Sequence, residues 1–164
     1  MKKVFAVNNM DKQIRDKLNE ILDFDECLTT ESLSKAEIKR FEHDTQIRLP
    51  REYKKFLMNF FEAYVGDYQF PMKEKFSFCP DGISEMDYFY VESLFEEAQY
   101  FFEEHGKNYM PIAPSMGDFI CMGLQGNQYG KIYYWWHEEY EDRYHLIADS
   151  FHEFILSFGK FWDD

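Results

Sequence analysis

A chain of 164 residues is long enough to bury about two thirds of its unfolded surface in one core, so none of its three cysteines, Cys27, Cys79 and Cys121, is needed as a staple, and no C-x-x-C spacing points to a disulfide framework or a zinc knuckle. No run approaches the ~20 apolar residues of a membrane helix, and the apolar stretch between Lys3 and Asn8 is too short for a secretory signal, so a cytoplasmic protein is expected. The net charge of −13 belongs to residues 76–164, which hold 17 acidic against 4 basic side chains, while residues 1–75 balance at 14 and 14; such a field repels nucleic acid and anionic membranes and favours a basic partner.

In chain order, Ile14, Leu18, Ile21 and Leu22 recur at helical spacing and predict an amphipathic helix over 10–22. After a polar loop, Ser34 with Glu37 forms a capping box for a second helix over 35–43, with Ile38 and Phe41 inward. Pro50 suits the first position of a third helix, whose apolar face of Tyr53, Phe56, Leu57, Phe60 and Phe61 carries it to about 64–66. Turn signals at Pro71, Pro80 and Asp81-Gly82 bracket a short strand over 75–79, and 86–91 reads as strand or loop. Ser93 with Glu96 is a second capping box, opening a helix that turns Leu94, Phe95, Ala98, Phe101 and Phe102 inward and stops at Gly106. Between 76 and 106 there are eight acids and no lysine or arginine. A strand over 109–113 leads into a turn at 114–117, a charged loop spans 137–142, and a last strand covers 144–148. Ser150 with Glu153 then opens a terminal helix with Phe151, Phe154, Ile155 and Phe158 inward.

Between these lies the most aromatic stretch. The runs 117–124 and 130–137, joined by a Gly/Asn-containing loop, read as a β-hairpin. Both strands are apolar on both faces, so the hairpin is either central in a covered sheet or shows an aromatic face to a partner. Alternation from Ile132 places Ile132 and Tyr134 inward with Ile120, Met122 and Leu124, and Tyr133 and Trp135 outward. The segregation of helices and strands predicts an α+β fold, a mainly antiparallel sheet with helices packed on one face, in one domain over 1–164.

Spacing argues against catalysis. His152-Glu153 and His137-Glu138 each begin the pattern of a zinc protease, but Leu156 and Glu141 stand where the second histidine belongs. No glycine-rich phosphate loop precedes a helix, and the Gly-x-Ser-x-Gly elbow is absent. A metal-dependent hydrolase using His137, Glu138 and His145 is the remaining enzymatic alternative. We therefore assign no catalytic residue, cofactor or metal ligand. Tyrosine and tryptophan, each with a large apolar surface and a polar tip, instead suit a protein interface.

Four segments in order carry a resemblance: Phe41-Glu42 with Leu49-Pro50 and Tyr53-Lys54-Lys55-Phe56-Leu57; Met110-Pro111-Ile112-Ala113 leading to Gly117-Asp118-Phe119-Ile120-Cys121; Gly130-Lys131-Ile132-Tyr133-Tyr134-Trp135 with His137-Glu138; and Ala148-Asp149-Ser150-Phe151-His152-Glu153-Phe154-Ile155. Together, over about 35–158, they resemble the SUKH superfamily, which includes bacterial immunity proteins and a fungal regulator of cell-wall assembly, and they leave 1–34 as a helix-bearing extension. The chain departs from that pattern at Ala63-Tyr64-Val65-Gly66, where the family has an Asn-Gly-Gly turn, and at Trp136, where it often has aspartate. The resemblance implies a twisted mixed sheet, no catalytic residues, and a monomeric cytosolic antidote that binds a toxin; a regulatory scaffold is the alternative. The expected partner-binding set is Phe119, Tyr133 and Trp135 as anchors, with Asp118, His137, Glu138, Glu139, Glu141 and Asp142 around them.

Overall fold

The computed structural model describes residues 10–23, 32–60, 63–138 and 143–162. Helix α1 (Lys12–Ile21) is opened by Asp11, whose carboxylate accepts the Gln13 and Ile14 amides, and it buries Ile14, Leu18 and Ile21 as the periodicity requires. Helix α2 (Lys35–Thr45) has the complete Ser34/Glu37 capping box and ends where Gln46 turns left-handed. Helix α3 (Arg51–Leu57) follows Pro50 but stops well before 64. Asn59 explains that correction: its side chain donates to the Lys55 carbonyl and its amide to Phe56, an alternative to continuing the helical ladder. The chain then enters strand β1 (Ala63–Tyr64).

The strand expected over 75–79 is instead a tight turn in which the Cys79 amide donates to Phe76. The strands of this region are β2 (Phe70–Pro71) paired with β3 (Ile83–Ser84), and β4 (Tyr88–Phe89) paired with β1. Helix α4 (Leu94–His105) forms without the Ser93 capping box, because Ser93 already has helical dihedrals and its side chain caps nothing. Leu94, Ala98, Phe101 and Phe102 are buried as expected.

The main sheet is a four-stranded antiparallel meander of β5 (Tyr109–Ser115), β6 (Asp118–Gly123), β7 (Ile132–Trp135) and β8 (Tyr144–Ala148). Every strand pair among the described residues is antiparallel, and with five helices the α+β class expected from the sequence is the one that forms. Pro111 and Pro114 are tolerated in β5 because it is the outer strand of the meander. Helix α5 (Phe151–Ser157) begins at Ser150, whose hydroxyl accepts the Glu153 amide, and packs on α1, α3, β2 and β8. α4 lies along β5.

The predicted hairpin is β6–β7, the inner pair of the meander, covered along one face and over part of the other. Ile120, Met122, Ile132 and Tyr134 are fully buried on one, while Cys121 and Trp135 are buried on the other. Its connection includes a 3-10 turn (Gly126–Gln128) that folds back on Gly123 so closely that a Cβ there would lie 2.0 Å from the Gln128 carbonyl oxygen. Buried side chains from all five helices and the sheet form one contiguous core. No helix among the described residues is long and apolar enough to cross a membrane.

Candidate functional site

The sheet face that carries Phe119, Cys121, Tyr133 and Trp135 divides into a covered and an uncovered part. Over the covered part, α4 lays the Phe101 ring edge-on to Phe119 and to Trp135, at 5.8 Å and 5.9 Å between centroids, and His105 approaches Trp135 to 5.1 Å. The Arg143 guanidinium lies 5.8 Å from the same indole, a cation–π contact. Trp135 is left only 7% exposed, so it is not the surface anchor the alternation suggested. Alternation places a side chain on a face but says nothing of what a distant helix lays over it.

Beyond α4 the face stays half-exposed and is paved with tyrosine. Tyr109 and Tyr144 stack at 3.7 Å between centroids and 13° between planes, and Tyr133 stands edge-on to both. Burial pushes all three phenols above their ordinary pKa, so near neutral pH they remain protonated hydroxyls that donate as well as accept. Phe119, also half-buried, lies against Phe101 and Trp135 at the edge of the covered part.

Asp118 is a second correction. It is 2% exposed rather than part of an acidic rim. One carboxylate oxygen accepts from the His137 backbone amide at 3.1 Å and from His137 Nδ1 at 2.5 Å, and the other accepts from the Tyr134 hydroxyl at 3.0 Å. Asp118 thus ties the start of β6 to the end of β7. Its carboxylate holds the half-exposed His137 imidazole above its ordinary pKa, mainly through that side-chain hydrogen bond. Glu138 follows on the surface, its side chain 64% exposed. Glu139, Glu141 and Asp142 lie outside the described residues.

On the opposite face, at the same end of the sheet, Trp136 stacks on Phe78 at 5.5 Å, and His145 lies flat on Phe76 at 4.0 Å with Nδ1 3.8 Å from the Glu74 carboxylate. Phe78 is 39% exposed. Met116, 56% exposed with φ 48°, forms the neighbouring β5–β6 turn with Gly117 at φ 86°.

The sequence profile of the SMI1/KNR4 family (SUKH-1) matches residues 32–157, most of the chain. The chain belongs to the SMI1/KNR4 family. No curated protein matches it. The SMI1/KNR4 segment contains the whole tyrosine-bearing face and the Asp118 linkage, whereas α1 lies outside it and docks on α5.

The structure therefore leaves Phe119, His137 and Glu138 at least partly exposed at the Trp135 end of β7 and Tyr133 partly exposed nearer the start of the same strand, and buries Asp118 and Trp135 as support. Tyr109 and Tyr144 were not singled out from the sequence. Uninterrupted alternation counted from Ala113 and Ala148 would turn both away from Tyr133, and the register shifts between Pro111 and Ala113 and between Ile132 and Tyr133 are what bring them onto its face. Among the described residues no group of three or more histidine, cysteine, aspartate or glutamate side chains is placed to hold a metal ion. His137 is engaged by Asp118 and His145 by Phe76 and Glu74.

Proposed function

We propose that the chain is a non-enzymatic immunity protein that binds and neutralises a cognate basic toxin, of the kind that grips nucleic acid, in the cytoplasm. The observation that carries this reading is the partly exposed, mutually packed set of Tyr109, Tyr133 and Tyr144 on one face of the sheet, within the half of the chain that holds the whole net negative charge. Tyrosine anchors give an interface affinity with little loss of side-chain freedom, and the surrounding carboxylates steer a basic partner towards it. Membership of the SMI1/KNR4 family supports the same reading, since the superfamily includes many immunity proteins. The separate engagements of His137 and His145 favour binding over metal-dependent hydrolysis.

The test is capture of partners from the native host on the immobilised protein, followed by expression of each captured protein with and without this chain. Growth arrest by a basic partner, relieved by the wild-type chain and not by Tyr133→Ala, is the expected result. A partner that is harmless alone, or whose toxicity the chain leaves unchanged, would overturn the immunity reading in favour of a regulatory scaffold.

A further inference from the structure

A second feature, on α2 and α3, has the opposite charge. Lys35 and Lys39 lie one turn apart on α2, and Arg51 and Lys55 one turn apart on α3, so each helix turns two cations towards the groove between them, where Lys54 joins them. Ile38 and Met58 form its apolar floor. Among the described residues the one acid on the groove, Glu42, is already engaged: one oxygen sits 3.5 Å from Lys54 Nζ and the other accepts the Leu49 amide at 2.8 Å. Lys35, Lys39, Arg51 and Lys55 have no carboxylate within 4.0 Å among the described residues. Like charges one turn apart disfavour a helix, and a chain with net charge −13 has acids to spare for pairing. A groove on which four cations converge with no ion-pair partner among the described residues is therefore not accounted for by folding or by solubility.

Size and field select the ligand. The groove encloses about 190 Å³, less than the roughly 300–1,000 Å³ of sites that take up a whole small molecule, so it admits a side chain rather than a nucleotide. A long polyanion such as nucleic acid would meet the repulsion of the acidic half of the chain. We propose that the α2–α3 groove binds a short acidic peptide segment, its carboxylates on the lysines and Arg51 and one aliphatic side chain on Ile38 and Met58. Arg51 can take a carboxylate in two parallel hydrogen bonds, and methionine adapts its shape to the inserted side chain. This site is separate from the tyrosine face and does not depend on the immunity reading.

The probe is a fluorescein-labelled Glu-Glu-Leu-Glu-Glu peptide, followed by fluorescence polarisation at low ionic strength. Saturable binding is expected, weakened about tenfold or more by Lys39→Glu with Arg51→Glu and likewise by glycine in place of the peptide's leucine, and unaffected by Lys12→Glu with Lys17→Glu on α1. Lys39 and Arg51 are exposed, so the variant should retain the wild-type thermal transition; the milder Lys39→Gln with Arg51→Gln gives the same comparison should charge reversal perturb folding. Equal binding by the groove variants, indifference to the leucine, or tighter competition by a single-stranded oligonucleotide would each overturn the proposal.

Discussion

Asp118 offers two carboxylate oxygens to three donors, and the consequence is a residue whose loss is felt on both strands it joins. Asp118→Asn puts an amide where one donor now points, and is expected to cost about 1–3 kcal/mol of stability in denaturant titrations. It should also return the His137 titration, followed by NMR, towards the ordinary histidine value. The folded-state pKa of His137 is raised, so its contribution is fully present below about pH 6.5 and is lost as pH rises through the folded-state value; in the variant that acid-side gain should shrink. The burial of Asp118 was legible: it stands two residues before Ile120, so the alternation that turns Ile120 inward turns Asp118 inward too. Grouping Asp118 with the loop carboxylates as an acidic rim overlooks that alternation. Trp135 was not legible, because its cover comes from Phe101 and His105, about 30 residues upstream. The two outward aromatics should consequently fail differently. Trp135→Ala is expected to cost about 3–5 kcal/mol of folding stability, whereas Tyr133→Ala should leave folding largely intact and cost about 2 kcal/mol or more of partner affinity by calorimetry.

At the scale of elements, most helices and the strands of the meander could be read from period and caps, since Ile14/Leu18/Ile21 and Ser34/Glu37 are local signals. The short pairs β1–β4 and β2–β3 could not. Two-residue strands exist only through partners distant in sequence, as Ala63 opposite Phe89 shows, and no local pattern specifies them. The β6–β7 connection is held by similarly close contact. Gly123 donates to Lys131 and accepts from Gly130 while the 3-10 turn lies against its Cα. Gly123→Ala forces a methyl into the Gln128 backbone rather than a flexible side chain. A loss of about 1–3 kcal/mol is expected by thermal or chemical denaturation, with hydrogen exchange raised at the amides of 124–131.

Across the whole molecule, the family-matched segment 32–157 does not contain all of the core. Ile14, Leu18, Ile21 and Leu22 are all buried, and burying each such side chain is worth about 1.5–3 kcal/mol, which together rivals the roughly 5–15 kcal/mol that holds a typical domain folded. A fragment lacking residues 1–31 is expected to lose its cooperative transition by circular dichroism. A further whole-molecule consequence follows from the pleat of β7, which sends Trp135 beneath α4 and Trp136 onto Phe76 and Phe78. Two chromophores adjacent in the chain thus sit in different layers, and once the exposed Trp162 is replaced by Phe each can be followed by replacing the other in turn with Phe. Because one contiguous core joins the layers, the two emission signals should change at the same denaturant concentration. A gap between their midpoints would mean that α4 lifts from the sheet before the rest melts, exposing at that moment the aromatic surface it normally covers.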